Sequence, residues 1–290
     1  MRRCELRAST APMLHALWRA FTSEMARFKE AVCVETQNEG INRMKAIDLN
    51  VDLGEGCGHD AELLAYATSV NVACGWHAGD AITMMRTSAA ALEKSVRVGA
   101  HPSYPDRENF GRESMQLSPD EIYAGVLYQV GSLNGIVRAL GGRLSHVKPH
   151  GALYNDAERH YDTAEAIVSA VRDTDSSIEI YGLAGGQLVR VARQAGLTAR
   201  DEGFADRGYS SRGQLVPRGT PAALVEEVGE AANRAAEMAA NGRVRAVDGE
   251  WITIPVETIC LHGDGPNAVA FAKQIKSVLE SLATDTRSAL

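Results

Sequence analysis

The strongest constraint on the fold of this chain is a regular alternation of short apolar strands with helical segments, which begins near residue 47. Ile47, Leu49, Val51 and Leu53 are separated by polar residues, as in a strand with one buried face. Further strands are predicted at residues 69–74, 96–100, 144–147, 178–183, 197–201 and 257–261. Strands that alternate with helices in this way predict an α/β fold in which helices cover a parallel sheet.

Two of the predicted helices have clear start signals. Residues 118–121, Ser-Pro-Asp-Glu, place a serine cap before a first-turn proline, with a glutamate three residues after the cap. This helix should end near Leu140, before two glycines. Thr220 and Pro221 predict the start of another long helix, which ends near Ala240. The remaining predictions are helices at residues 61–67, 82–94 and 266–282, and a hairpin of residues 244–247 and 251–254.

Polar side chains capable of chemistry lie at or just past the C-terminal ends of six predicted strands. They are Asn50 and Asp52, His77, His101, Lys148 and His150, Glu202 and Asp206, and His262 and Asp264. An open sheet binds its ligand at a single crevice, whereas a barrel collects groups from many strand ends at one mouth. The spread over many strands therefore favours an irregular (β/α) barrel of seven or eight strands.

Composition and charge exclude several classes of protein. The formal charge of −7 gives no basic stripe, so nucleic acid and an anionic membrane are not expected partners. No apolar run reaches the roughly 18 to 20 residues needed to cross a bilayer. The five cysteines are an odd number without a CxxC pair, which indicates a reducing compartment rather than a disulfide scaffold. The cytoplasm is the expected location.

The first 43 residues differ from the rest and show no strand–helix alternation. We predict that residues 1–43 are an N-terminal extension outside the fold, and that residues 44–290 form a single barrel domain. Met44 directly precedes the first strand, which raises the hypothesis that translation starts there. The alternative is a disordered or loosely docked helical extension.

The segment at residues 147–155, VKPHGALYN, is the most informative one for function. Pro149 restricts the backbone on both of its sides, so Lys148 and His150 are presented on a stiff turn after a strand. His77 and His101 also lie beside glycine or proline at strand ends. Three histidines and a lysine placed in this manner predict a catalytic site.

Carboxylates and further polar residues complete the predicted mouth, each with a structural alternative. Asp52 and Glu55, which lies between two glycines, could act as a general base or bind a divalent cation. The structural alternative is that such a strand-end carboxylate caps the next helix. Asp80 is a substrate-binding candidate that could instead cap the next helix. Arg207 could clamp a carboxylate or phosphate, or pair with its neighbour to brace a loop. The predicted substrate-binding residues are Asn50, Glu55, Asn71, Asp80, Glu202, Asp206, Arg207, His262 and Asp264.

Metal and nucleotide sites are underdetermined by local motifs. No HExxH pair and no GxxxxGK[ST] loop occurs in the sequence. The glycine-rich residues 182–186 fit a tight strand-to-helix turn. Local motifs therefore do not identify which residues would bind a divalent cation.

Six ordered motifs resemble the LamB/YcsF family over about residues 44–282. They are DLNVDLGE, NVACGWHAGD, GAHPSYPD, VKPHGALYN, FADRGY and ICLHGD. The family's HAGDP ends here in Ala81, and its GFGRR stretch ends in Glu113, which puts any phosphate contact from position 113 in doubt. The resemblance implies an irregular barrel of the glycoside hydrolase/deacetylase type.

The resemblance also implies a function, that of the A component of a bacterial 5-oxoprolinase, which works with separate subunits B and C. This enzyme hydrolyses the lactam 5-oxo-L-proline to L-glutamate and consumes ATP. In such a site Lys148 and Arg207 would stabilise negative charge, Asp52 or His150 would act as base, and His77 or His101 as acid. The sequence does not indicate whether ATP binds to this chain or to its partners.

Two alternatives stay open on the sequence alone. A metal-dependent deacetylase-like amidohydrolase would use the same mouth, with Asp52 and two histidines as ligands. A non-catalytic lactam- or sugar-binding subunit would leave all the chemistry to its partners. A requirement for ATP, and the effect of histidine substitutions on turnover and on binding, distinguish these functions.

Overall fold

The computed structural model describes residues 47–263, 265 and 267–288. The predicted extension at residues 1–43, the hypothesis of a start at Met44 and the candidate Asp264 lie outside these described residues.

Seven parallel strands close into a barrel, which confirms the predicted (β/α) barrel. The prediction allowed seven or eight strands. Each strand pairs with the next in the order β1-β2-β3-β4-β5-β6-β9, and β9 pairs back with β1 to close the ring. The strands are β1 Asp48–Leu53, β2 Ser69–Ala73, β3 Arg97–His101, β4 Leu144–Val147, β5 Glu179–Leu183, β6 Ala199–Phe204 and β9 Thr258–Leu261. The predicted hairpin is confirmed as the antiparallel pair β7 Arg243–Arg245 and β8 Trp251–Thr253.

Eight helices occur in the described part of the chain. They are α1 Asp60–Leu63, α2 Ala81–Glu93, α3 Pro119–Ala139, α4 Gly151–Ala157, α5 Tyr161–Thr174, α6 Gln187–Gln194, α7 Val228–Asn241 and α8 Ala268–Ser288. Helix α3 begins with the predicted capping box, in which Ser118 and Glu121 bond to each other's backbone. No helix of the described residues has the length and apolar character needed to cross a membrane.

The predicted helix start at Thr220 is wrong. Residues 217–223 form turns instead. The backbone N–H of Thr220 donates to the carbonyl oxygen of Pro217, and the carbonyl oxygen of Thr220 accepts a hydrogen bond from the backbone N–H of Ala223. Val225 then donates to the carbonyl of Asp206, which ties this segment to the loop after β6. The helix therefore begins only at Val228, because tertiary backbone pairing outweighs the local start signal.

Side chains alternate along the strands between an apolar layer and a polar barrel interior. Leu49, Val51 and Leu53 belong to the continuous apolar core. The residues between them form hydrogen bonds across the barrel, as when Asn50 Nδ2 donates to Glu202 Oε1 at 3.0 Å. The interior is therefore filled by polar networks, where barrels of this class are filled mostly by branched apolar side chains.

Asp48 is the centre of the polar network at the base of the barrel. Its carboxylate accepts hydrogen bonds from the hydroxyls of Thr68, Ser69 and Thr258 and forms a 2.9 Å ion pair with Arg97. Burial alone would raise the pKa of Asp48, but Arg97 and the three hydroxyl groups outweigh it and lower that pKa. The ionised form of Asp48 is thus stabilised by folding.

We expect Asp48→Asn to reduce the loss of stability at acid pH. Because folding lowers the pKa of Asp48, its stabilising contribution is complete above about pH 4 and is lost as the pH falls toward the folded-state pKa. The free energy of unfolding in urea, measured from about pH 6 to pH 3, should fall less steeply in this variant than in the wild type. Exposed Glu165→Gln is the control, and equal slopes in all three proteins would contradict the expectation.

Candidate active site

A cavity of about 290 Å³ opens at the C-terminal mouth of the barrel. Its walls come from five strands or the loops after them and include Asp52, His101, Lys148, Phe204 and His262. The predicted convergence of strand-end residues at one mouth is therefore seen in the structure. Two loops and the start of α4 complete the wall.

Lys148 is a buried cation held by acidic and polar groups. Its Nζ lies 3.0 Å from Asp52 Oδ1, 3.1 Å from Glu202 Oε1 and 2.8 Å from Cys260 Sγ. Burial opposes its charge, but Asp52, Cys260 and Glu202 outweigh burial and hold the pKa of Lys148 well above its ordinary value. Lys148 is therefore a positive charge in the wall of the cavity.

Asp52 is ionised for the reciprocal reason. Burial alone would raise the pKa of Asp52, but His101 and Lys148 outweigh it and hold that pKa well below its ordinary value. Asn71 Nδ2 donates to the same carboxylate at 2.8 Å. With its charge so strongly stabilised, Asp52 is a weak base and is better suited to orienting its neighbours.

Three histidines and one glutamate form a compact cluster beside Asp52. Glu55 Oε1 lies 3.1 Å from His77 Nε2, 3.4 Å from His150 Nδ1 and 3.8 Å from His101 Nε2. The rings of His77 and His150 are stacked with centroids 3.9 Å apart. One ligand atom from each of the four residues lies within 4.8 Å of the others, so the cluster can hold a divalent cation.

The backbone around the cluster is shaped by glycines. Glu55 lies in a turn between Gly54 and Gly56, whose φ angles of 76° and 80° disfavour larger residues. His150 precedes Gly151, where an added Cβ would lie 2.4 Å from the carbonyl oxygen of Gly111. Only glycine allows this close approach, which brings the 110–112 turn against His150.

Burial lowers the pKa of two cluster histidines. Burial and, secondarily, the charge on His101 bring the pKa of His77 to about 2. Burial, followed by the neighbouring His77 and His101, which disfavour a further positive charge, holds the pKa of His150 well below its ordinary value. At neutral pH both rings are therefore uncharged and can offer a lone pair.

A fourth histidine, His262, lines the cavity and has its own carboxylate partner. His262 Nδ1 donates to Asp206 Oδ2 at 2.6 Å, and its ring stacks on Phe204. Burial alone would raise the pKa of Asp206, but His262 outweighs it and lowers that pKa. A carboxylate that fixes the Nδ1–H tautomer leaves Nε2 as an acceptor, which is the arrangement of an oriented general base.

Arginine side chains line the outer part of the cavity. They are Arg112, Arg159, Arg207 and Arg218. Arg218 is half-buried and forms no hydrogen bond or ion pair with the residues that the structure describes. The mouth therefore has an electropositive rim above the buried Lys148, which suits an anionic ligand.

Asp80 and three buried residues of the predicted substrate-binding set lie outside the cavity, whereas Arg207 lines it. Asp80 is exposed and caps α2 by accepting from Thr83 N at 2.7 Å. Arg207 donates from Nε to the carbonyl of Ala223 and from Nη2 to that of Val216, so it also fastens that loop. Asn50, Asn71 and Glu202 lie beneath the cavity and are fully buried.

Cys260 and Tyr154 belong to the site but were not predicted from the sequence. Cys260 contacts Lys148, and Tyr154 donates its hydroxyl to Glu202 Oε2 at 2.9 Å. Cys260 lies two residues before His262, so strand periodicity could have placed it on the same inward face. Tyr154 lies within α4 and had no such signal, because helical packing against the mouth depends on the tertiary fold.

The fold and the site define a class of protein: a seven-stranded (β/α) barrel with a polar mouth of ionisable residues. The family model of the LamB/YcsF family matches residues 47–289, and the chain belongs to this family.

Solved structures that are similar to this chain include the following two. The lactam utilization protein from Thermus thermophilus is 42% identical, with a TM-score of 0.77 over 81% of this chain and 96% of that chain. A protein from Enterococcus faecalis, proposed to cleave cellobiose phosphate, has a TM-score of 0.51 at 11% identity. That match covers 81% of this chain and 94% of the other, and it shows likeness of fold alone.

Proposed function

We propose that this protein hydrolyses the lactam 5-oxo-L-proline to L-glutamate with consumption of ATP, as the A component of an enzyme that also contains subunits B and C. The observation that carries the proposal is the buried Lys148, which lies in the wall of a small cavity with an arginine rim. Membership of the LamB/YcsF family and similarity to the Thermus lactam utilization protein support the lactam as substrate.

The chemistry of a lactam explains why such a site needs cations. A five-membered lactam resists ring opening, and transfer of the γ-phosphoryl group of ATP to its carbonyl oxygen makes the ring carbon electrophilic. Attack of water then releases phosphate and opens the ring, which completes the conversion to ADP, phosphate and glutamate. Lys148 would stabilise the negative charge that develops on this oxygen.

Proton transfer in the proposed reaction needs a base for water and an acid for the ring nitrogen. The sequence-based candidates for the base are Asp52 and His150, and the contacts of His262 with Asp206 favour His262 in addition. His101 and His77 stay the candidates for the acid. His101 is the better placed of the two, because it lines the cavity and His77 does not.

The size of the cavity bears on where ATP binds. A volume of about 290 Å³ lies at the low end of sites for small molecules and suits a compact lactam rather than a whole nucleotide. We therefore propose that the lactam binds in the cavity with its carboxylate toward Arg218, and that the phosphates of ATP approach along the other arginines of the rim, with the partner subunits holding the rest. Cytoplasmic ATP would supply this reaction.

Arg218→Met should raise the KM for 5-oxoproline by about tenfold or more, with a smaller change in kcat. The reason is that a charge-assisted hydrogen bond to the substrate carboxylate contributes about 1.5–3 kcal/mol. Steady-state kinetics of the reconstituted complex measure this effect. Arg212→Met, an exposed position outside the cavity, is the matched control, and equal KM values in the two variants would argue against a role for Arg218.

A metal-dependent amidohydrolase is the second candidate, because Glu55, His77, His101 and His150 can hold a divalent cation. One experiment separates it from the first candidate. Glutamate formation from 5-oxoproline is measured with the chain alone and with subunits B and C, each with and without ATP. Turnover that requires both ATP and the partners supports the oxoprolinase, whereas ATP-independent turnover by the chain alone supports the amidohydrolase.

A further inference from the structure

We infer that Glu55, His77, His101 and His150 form a binding site for one divalent transition-metal ion of the zinc type. This site goes beyond lactam hydrolysis, since it depends on the geometry of these four side chains and not on any substrate. Two features of the cluster point to the metal: the positions of the protons on the histidine rings, and the spacing of the four ligand atoms.

Backbone carbonyls fix the proton positions on two of the rings. His101 Nδ1 lies 2.7 Å from the carbonyl oxygen of Lys148, and His150 Nε2 lies 2.9 Å from that of Phe110. A carbonyl oxygen only accepts, so each of these nitrogens carries a hydrogen atom. In an imidazole that carries one ring hydrogen, the other nitrogen, which is His101 Nε2 or His150 Nδ1, then has a lone pair.

These two lone pairs face each other. His101 Nε2 and His150 Nδ1 are 2.9 Å apart, and Glu55 Oε1 lies within 3.8 Å of both. Two acceptor nitrogens and a carboxylate oxygen at such distances repel one another unless a positive charge lies between them. That charge is either an additional proton on one ring or a metal ion.

The spacing of the ligand atoms favours the metal ion. Bonds of about 2.0–2.1 Å in tetrahedral zinc geometry place the ligand atoms about 3.3 Å apart. The distances among His77 Nε2, His101 Nε2, His150 Nδ1 and Glu55 Oε1 include 2.9, 3.1, 3.4 and 3.8 Å. A proton shared by His101 and His150 would explain the shortest distance, and a hydrogen bond from His77 Nε2 to Glu55 Oε1 would explain a second one, whereas a single metal ion explains all four distances at once.

The surroundings of two of the three rings match those of known metal ligands. A metal-binding histidine usually donates its second ring N–H to a carbonyl or carboxylate, which fixes its orientation. His101 and His150 do this with backbone carbonyls. His77 differs from them, because its buried Nδ1 has no hydrogen-bond partner among the described residues, and its position in the cluster is set by the contact of its Nε2 with Glu55.

A rival group of ligands lies on the other side of Asp52. Asp52, Cys260 and His262 also have three suitable atoms close together. However, Lys148 Nζ already lies 3.0 Å from Asp52 and 2.8 Å from Cys260, so an ammonium group occupies the place of a cation there. The cluster of Glu55 with the three histidines is therefore the better site.

Three nitrogens and one carboxylate oxygen are donors that suit Zn²⁺, Co²⁺ and neighbouring divalent ions better than Mg²⁺ or Ca²⁺. A metal bound at this place would act as a Lewis acid toward a ligand in the cavity. Glu55, His101 and His150 line that cavity, so a bound metal would contact the substrate.

The test measures metal binding by the full-length chain without its partners. The protein is stripped with a chelator, its fold is checked by circular dichroism, and Zn²⁺ or Co²⁺ is titrated in competition with a chromophoric chelator. We expect one equivalent of metal per chain. The Co²⁺ form should show visible d–d bands without a thiolate-to-cobalt charge-transfer band in the near ultraviolet. A thiolate band would assign the metal to a cysteine and overturn the inference.

Matched variants identify the ligands. Glu55→Gln and His77→Ala should weaken the affinity by about 100-fold or more, since loss of even an outer partner costs up to about that factor. His262→Ala removes an imidazole from the same cavity but not from the cluster and should bind metal like the wild type. Unchanged affinity in both cluster variants, or no binding by the folded wild type, would overturn the inference in favour of a bridging proton.

The metal measurement needs neither ATP nor substrate nor partner subunits. Its failure would therefore leave the proposed lactam hydrolysis standing, and a failure of the activity assay would leave the metal site standing. If both succeed, chelator treatment of the reconstituted complex shows whether the metal takes part in the reaction.

Discussion

Lys148→Met should lower kcat by about 100- to 1,000-fold, roughly 2.7–4 kcal/mol, in the reconstituted complex. The substitution keeps the length and apolar stem of the side chain but removes the buried charge that the proposed reaction uses. It also leaves Asp52 and Glu202 as buried carboxylates without their cation. We therefore expect a loss of stability as well, of the order of 3–5 kcal/mol.

A double variant separates the two effects. Glu202→Gln in the Lys148→Met background removes one uncompensated carboxylate and should restore much of the stability, measured as the free energy of unfolding in urea. Turnover should stay low, because the positive charge is still missing. Exposed Lys273→Met is the control for a general loss of charge. A decrease of less than about tenfold in kcat for Lys148→Met would argue against Lys148 as a charge stabiliser.

Gly99→Ala should strongly destabilise the barrel. An added Cβ at this position in β3 would lie 2.2 Å from His146 Nε2 and 2.4 Å from two carbon atoms of the same ring. This ring cannot move aside easily, since it stacks on Tyr181 and contacts Asn71 Oδ1 at 2.7 Å. Overpacking of this kind costs about 1–3 kcal/mol or more, so the melting temperature should fall by several degrees.

Gly131→Ala is the matched control for that substitution. Gly131 lies on the exposed side of α3, and no atom lies within 4 Å of a Cβ added there. The same chemical change should therefore stabilise the protein, by up to about 1 kcal/mol, because alanine is the better helix former. Equal melting temperatures for the two variants would show that His146 adapts and that the barrel interior is softer than its contacts suggest.

The strand pattern was predictable because it depends on short-range alternation. The ends of β1 and β3, and with them Asp52 and His101, were placed correctly from periodicity and from neighbouring glycine and proline residues. The mouth followed from a general rule, since the C-terminal ends of parallel barrel strands meet at one face. For these residues the sequence carries the information locally.

The errors have a common physical cause. Thr220 and Pro221 have the local pattern of a helix start, but the backbone of residues 223–225 pairs with residues 206–208. The loop contacts of Arg207 were missed for the same reason, because its guanidinium donates to the carbonyl groups of residues 216 and 223. In both cases a partner distant in sequence decided the outcome, and such partners cannot be read from residue order alone.

The ring of polar side chains inside the barrel also affects how mutations combine. Asn50 contacts Asn71, Lys148 and Glu202, and Asn71 contacts Asp52 and His146, so a single connected network spans several strands or their ends. Members of one network share partners, and their energies are coupled. The effects of two such substitutions on the free energy of unfolding will therefore not be additive. Which residue evolution accepts at one of these positions depends on the residues at the others.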